Sequence, residues 1–186
     1  MSWTQPRPDT SLTLINDLQL DKNAPIIDVG GGESRLVDYL LQEGFTDITV
    51  LDISQTAIDR AKARLGPLSD RVTWIVSNVL EFIPERPYTL WHDRATFHFL
   101  TEKQDIEKYV GIVEKCVIEG EVILGTFSTA GPARCSGLPV KQYDFDSIQE
   151  VFGQSFRLTR SLRVDHITPF NTTQNFIFSN FRKVIQ

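Results

Sequence analysis

The stretch IIDVGGGES, residues 26–34, gathers a carboxylate, three successive glycines and a hydroxyl: Asp28, Gly30, Gly31, Gly32 and Ser34. A further carboxylate, Asp52, ends an apolar run within the stretch VLDIS about 20 residues further on. Glycine weakens a strand and costs backbone entropy, so this run implies a ligand or a neighbour that must approach bare backbone. A dinucleotide is the first guess, from the pattern G-x-G-x-x-G. Gly30 and Gly32 fit it, but the third glycine position holds Arg35, too large for the close packing of a pyrophosphate turn. Ser34 instead fills the last position of a G-x-G-x-G spacing, where a small residue is enough. Asp28 would repel a pyrophosphate yet could hold an ammonium group, directly or through water. Asp52 is placed to accept both hydroxyls of a ribose. A ligand with a cationic amino-acid end and an adenosine end satisfies both acids, so S-adenosylmethionine is the expected cofactor.

The elements that must position these residues alternate along the chain. Residues 9–19 suit a leading helix, with Leu12, Ile15 and Leu18 on one side. PIIDV is a first strand, and a helix follows from Ser34 to Gln42, ended by Gly44. DITVLD is a second strand, after which Ser54 caps a helix whose inner face carries Ala57, Ile58, Ala61 and Leu65. RVTWIV and YTLWH are the third and fourth strands. Thr101 and Gln104 form a capping-box pattern before a helix bearing Ile106, Tyr109, Val110, Val113 and Val117. EVILGTF is the fifth strand, residues 145–152 a short helix, and FRLTRSLRV and QNFIFSNFRKV a closing pair with no helix between them.

This order predicts an α/β, doubly wound fold: a seven-stranded, mostly parallel sheet with an antiparallel C-terminal strand, as one domain over residues 1–186. Such sheets bind ligands at the carboxyl ends of their strands, near the reversal of strand order, where the glycines fall.

Composition narrows the function classes. A formal charge of −5 and the lack of a Lys/Arg cluster argue against a nucleic-acid partner. The densest basic stretch, DRAKARLG, reads as a solvated helix face. No apolar run approaches the ~20 residues that cross a bilayer, and the first residues lack a secretory pattern. The two cysteines, Cys116 and Cys135, suit neither a disulfide framework nor a metal site and point to a reducing cytoplasm.

With these residues in hand, the chain resembles the class I S-adenosylmethionine-dependent methyltransferases. IIDVGGGES, VLDIS, NVLEF and LWHDRATFHFL stand in that family's motif order and cover nearly the whole chain. The resemblance implies that Gly30, Gly31, Gly32 and Ser34 line the methionine part, Asp52 grips the ribose, and Ile53 lies against the adenine. Asn78 stands where the family usually has Asp; its amide can still accept from the adenine amine and donate to the ring. The Val79 backbone offers a second contact. WHDRATFHFLT and TFSTAGPARCSGLPVKQYD are similar to a group of small, mostly bacterial members. Asp-Arg-Ala-Thr at 93–96 also resembles short motifs of protein-lysine and thiopurine methyltransferases, over a few residues only.

Candidates for the chemistry follow the fourth and fifth strands. Asp93 is expected near the methyl donor, and Arg94 either on a substrate acid or in a local ion pair. His98, between two phenylalanines, is either a core histidine or a base. His92 reads as alternating into the sheet, and His166 is a weaker acceptor-side candidate. Residues 128–143 read as a lid with Cys135 as a packing or pocket residue, and Trp3 as part of a cover or frayed. The expected activity is methyl transfer to an N, O or S nucleophile, first on a small molecule, alternatively on a protein lysine. A cofactor-binding protein without transferase activity is the reading from another class.

Overall fold

The computed structural model describes residues 6–168 and 171–184; Trp3 lies outside them. A leading helix α1 (Asp9–Asp17) precedes the strands β1 (Ile26–Val29), β2 (Ile48–Asp52), β3 (Val72–Val76), β4 (Leu90–Arg94) and β5 (Glu121–Phe127). Helices α2 (Leu36–Gln42), α3 (Gln55–Leu65) and α4 (Lys103–Cys116) lie between them. A small hairpin, β6 (Arg134–Cys135) and β7 (Leu138–Pro139), leads to α5 (Phe145–Phe152) and the long strands β8 (Phe156–Ile167) and β9 (Thr173–Lys183).

The main sheet has seven strands in the order β3-β2-β1-β4-β5-β9-β8. β1 to β5 are parallel, and β9 runs antiparallel between β5 and β8. The predicted architecture is therefore the observed one. Strand order reverses between β1 and β4, which opens a crevice at their carboxyl ends.

Alternation along the strands divides the core. Ile27, Val29, Trp91, Val122 and Leu124 face α4 and α5, whereas Ile26, Val50, Leu90 and Ile123 face α1 and α2. Asp28 and His92 belong to the α1 face by the same alternation, and Asp93 belongs to the α4 face. Ser54 caps α3 as expected, accepting from the Ala57 N–H.

Two local readings change. β4 is displaced two residues toward its carboxyl end, to Leu90–Arg94, because Tyr88 and Thr89 bond to Cys116 and Pro25 carbonyls before the ladder begins. The capping box at Thr101 and Gln104 is absent: Glu102 takes the cap position of α4, and the Thr101 hydroxyl turns to the Glu102 carboxylate. A true capping box forms instead at α5, between Asp144 and Ser147. Among the described residues, no helix is long and apolar enough to cross a membrane.

Candidate functional site

Val29 ends β1 and Gly30 turns the chain with φ of +69°, a left-handed conformation that glycine adopts without a Cβ penalty. Its N–H donates to the Leu51 carbonyl at 2.7 Å, tying the turn to β2. A Cβ at Gly30 would overlap the Thr96 hydroxyl and lie 3.2 Å from Thr96 Cβ. At Gly31 a Cβ would overlap the Asp28 carboxylate, with Cγ at 2.7 Å. Both glycines thus hold backbone where a neighbour needs the room.

Asp52 ends β2 beside this turn. Its Oδ2 accepts from the Gly32 N–H at 2.9 Å, and its Oδ1 from the Ser54 N–H at 2.8 Å. Each carboxylate oxygen has two lone pairs, so one remains on each for a pair of hydroxyls.

A cavity of about 520 Å³ opens over these strand ends. Of the expected residues, Gly30, Asp52, Ile53, Asn78, Val79 and Arg94 line it. Asp28, Gly31, Gly32 and Ser34 lie behind the turn and outside the wall itself. Ser34 Oγ accepts from the Leu36 N–H and starts α2, two residues later than the sequence suggests. Asn78 caps a short 3-10 turn, its Oδ1 accepting from the Leu80 N–H at 3.0 Å, which leaves its amide hydrogens for another partner. Ile53 is 71% exposed and Leu138, from the small hairpin, 58% exposed; both are apolar side chains on the cavity wall.

Three expectations need correction or restriction. Asp93 does not line the cavity. Its side chain points to the α4 face, where it accepts from Tyr109 OH at 2.6 Å and from the Thr96 and Phe97 N–H groups at 2.9 and 3.1 Å. Burial raises its carboxyl to about 6 even though those hydrogen bonds pull it down. Asp93 therefore shapes the turn that presents Arg94, Ala95 and Thr96.

His98 is fully buried against Phe99 and Phe127 and also lies outside the cavity wall. Its Nδ1 accepts from the Phe127 N–H at 3.3 Å, and burial lowers its pKa to about 3. A group so hard to protonate is a poor base near neutrality. The geometry favours the core reading of His98. His166, on β8, sits edge-on to Phe176 and is likewise outside the wall.

His98→Gln is expected to lower stability, by about 1–3 kcal/mol at neutral pH from lost packing and an exchanged hydrogen bond. The folded pKa of His98 is depressed below its ordinary 6.5. Its neutral burial thus favours the fold above pH 6.5 and less so as pH falls toward 3. Denaturant midpoints should show the gap between wild type and variant narrowing over that acid range; a constant gap would contradict the assignment.

The sequence reading missed Ala95 and Thr96. Ala95 has φ of +69°, a conformation that costs a non-glycine residue about 1–3 kcal/mol, and its N–H donates to the Gly125 carbonyl. No glycine or asparagine marks the position in the sequence, so nothing local signals it. Thr96 is found only through its packing on Gly30.

The segment 128–143 is folded rather than loose. Ser136 and Gly137 both have positive φ, as two-residue hairpin turns favour, and Leu138 and Pro139 reach the cavity. The Lys141 N–H donates to the His98 carbonyl and the Tyr143 N–H to the Phe127 carbonyl, pinning its end. Cys135 is buried, and burial raises its thiol pKa. It should react with iodoacetamide more slowly than free cysteine, because burial both disfavours the thiolate and restricts access. Rates equal to the free thiol in the folded protein would contradict that placement.

A family profile described as "Methyltransferase domain" matches residues 26–118, half of the chain and the part that builds the turn and most of the cavity. The chain belongs to this methyltransferase family. It is an S-adenosylmethionine-dependent methyltransferase. The methyltransferase is similar in fold to the 1,6-didemethyltoxoflavin-N1-methyltransferase of Burkholderia thailandensis, with 19% identity and a TM-score of 0.77 over 96% of this chain and 78% of that one. It is also similar to the N-methyltransferase NodS of Bradyrhizobium japonicum WM9, at 15% identity and a TM-score of 0.74 over 95% and 96% of the two chains. A third is the glycopeptide N-methyltransferase MtfA, at 11% and 0.70, over 94% and 89%. No curated protein sequence matches the methyltransferase. The residues present fit the cofactor: Asp52 keeps a lone pair on each oxygen, and Asp28 Oδ2 is buried beside the glycines with no donor among the described residues.

Proposed function

We propose that this enzyme methylates an N, O or S nucleophile on a small molecule. The observation that carries the reading is the cavity itself. It is a half-open cleft of about 520 Å³, within the range of small-molecule sites, and the hairpin residues Leu138 and Pro139 border it. Among the described residues, the charged side chains in its wall are Asp52 and Arg94. Two carboxyl-end strands thus divide it into a nucleoside half at Asp52 and an acceptor half at Arg94, Phe99, Leu100 and Leu138.

In this reading Asp52 accepts from the ribose hydroxyls, Ile53 covers the adenine, and Asn78 with the Val79 backbone meets its polar edge. Gly30, Gly31, Gly32 and Ser34 border the methionine part, with Asp28 toward its ammonium group. The cofactor, when bound, supplies a methyl group activated on a sulfonium and released by in-line displacement. The chain contributes orientation and a dry wall. Arg94 lines the acceptor half, where its guanidinium can receive an anionic group of the acceptor. Neither Asp93 nor His98 reaches the cavity, so positioning rather than proton removal by those residues carries the step.

The fold neighbours support the small-molecule reading. The Burkholderia protein is solved with 1,6-didemethyltoxoflavin and S-adenosylhomocysteine bound. A protein-lysine acceptor implies an open acidic rim near Asp93, and Asp93 is buried. Family membership favours transfer over cofactor sensing alone. The unbroken sheet from Ile26 to Lys183 supports treating residues 1–186 as one domain, and the WHDRA stretch supports the likeness to the small, mostly bacterial group. The two cysteines, both buried thiols, keep the cytoplasmic assignment as part of the proposal. The test is to incubate the enzyme with cell extract and methyl-labelled S-adenosylmethionine. Label should appear in a filterable product that chromatography separates from S-adenosylmethionine and that is absent without the enzyme; label confined to a protein band would select the lysine reading instead.

A further inference from the structure

Asp28 and His92 are register partners on β1 and β4, and their side chains meet on the sheet face that α1 covers. His92 Nδ1 lies 2.7 Å from Asp28 Oδ1, and His92 Nε2 lies 2.9 Å from the Ser11 hydroxyl on α1. The three side chains are sealed from solvent: Ser11 and His92 are 1% exposed and Asp28 is 2%. An ionised carboxylate only accepts, so Nδ1–H donates to Asp28; a neutral ring then accepts the Ser11 O–H at Nε2.

The same three residue types build nucleophilic triads. Here the serine is buried at the end of the hydrogen-bonded chain away from the glycine turn, so no acyl group reaches it. The chain of bonds holds a geometry instead. Its free end is informative. Asp28 Oδ2 has no hydrogen-bond partner among the described residues, is shut off from water, and faces the glycine turn so closely that a Cβ on Gly31 would overlap it. An unsatisfied buried acceptor costs about 1–3 kcal/mol, and a cationic donor arriving beside Gly31 would relieve it. Arg94 lies near enough to sense the Asp28 charge, so a carboxylate free to turn has a competing cation at hand.

We propose that His92 is a positioning residue for the methyl donor. By fixing Oδ1 of Asp28, it presents Oδ2 to the ammonium group of the methionine part, and through Ser11 it links that grip to the leading helix. This rests on the reading of the cavity as the S-adenosylmethionine site. The role is in binding one end of the ligand, which separates it from a general contribution to folding.

Two ligands distinguish these. S-adenosylhomocysteine carries the amino-acid end; 5′-methylthioadenosine keeps the adenosine and thioether but lacks it. By calorimetric titration, His92→Phe should lower affinity for S-adenosylhomocysteine by roughly tenfold and leave 5′-methylthioadenosine within about twofold. Asp28→Asn should do the same, and the double variant should lose little more than either alone, because both act through one contact. Ser11→Ala removes a single hydroxyl, preserves the fold if His92→Phe does not, and should show the same selectivity at about threefold. Equal loss for both ligands, or no selective loss in Ser11→Ala, overturns the proposal. If Asp28→Asn is selective and His92→Phe is not, the cofactor site stands and the role of His92 falls. If neither ligand binds the wild type, the site reading has failed, and the proposal with it.

Discussion

Asp52→Ala binds S-adenosylhomocysteine about 1.5–3 kcal/mol more weakly than the wild type, roughly 10- to 150-fold, while the protein stays folded. The carboxylate accepts from Gly32 and Ser54 with one lone pair on each oxygen, and the proposed ribose contact would use the others. Truncation removes two charge-assisted ligand bonds and also loosens the glycine turn from β2. Asp52→Asn is expected to fare little better. An amide nitrogen must then face either the Gly32 or the Ser54 N–H, donor against donor, and one ribose hydroxyl loses its acceptor. Titration calorimetry with circular dichroism separates binding from folding. Unchanged affinity in Asp52→Ala would remove the ribose assignment.

Gly30→Ala has the larger effect on stability, a loss of about 2–5 kcal/mol in denaturant unfolding together with loss of cofactor binding. Two costs combine. The residue must keep φ near +69°, and its new Cβ overlaps the Thr96 hydroxyl. Adding Thr96→Ala should recover the steric share and leave the conformational one, since the remaining approach to Thr96 Cβ is 3.2 Å. A Gly30→Ala variant as stable as the wild type would contradict the turn geometry.

What the sequence disclosed tracks how local each feature is. Apolar runs such as IIDV and EVILGTF become strands buried on both faces because a short continuous apolar run is written within a few residues, and Ser54 caps α3 through a partner three residues away. The strand-end positions of Gly30, Asp52 and Asn78 beside the cavity were legible for the same reason: each is fixed by its own element. Asp93 was misjudged because its place depends on Tyr109 and on the turn at Thr96 and Phe97, which enclose it on the α4 face. β4 slipped by two residues for a related cause, since Tyr88 and Thr89 spend their N–H groups on the distant Cys116 and Pro25 carbonyls before the ladder begins. The Asp28–His92–Ser11 chain joins residues 64 and 81 positions apart and could emerge only from strand register and the docking of α1. The approach of Leu138 and Pro139 to the cavity likewise depends on how residues 140–143 are pinned to His98 and Phe127.

The central claim is that a glycine turn between Asp28 and Asp52 forms a seat for S-adenosylmethionine. Calorimetric titration of the wild-type chain with S-adenosylhomocysteine tests it most directly. The account predicts saturable one-to-one binding, with NAD giving none under the same conditions. A flat titration with S-adenosylhomocysteine at millimolar concentration, or saturation by NAD in its place, would contradict it.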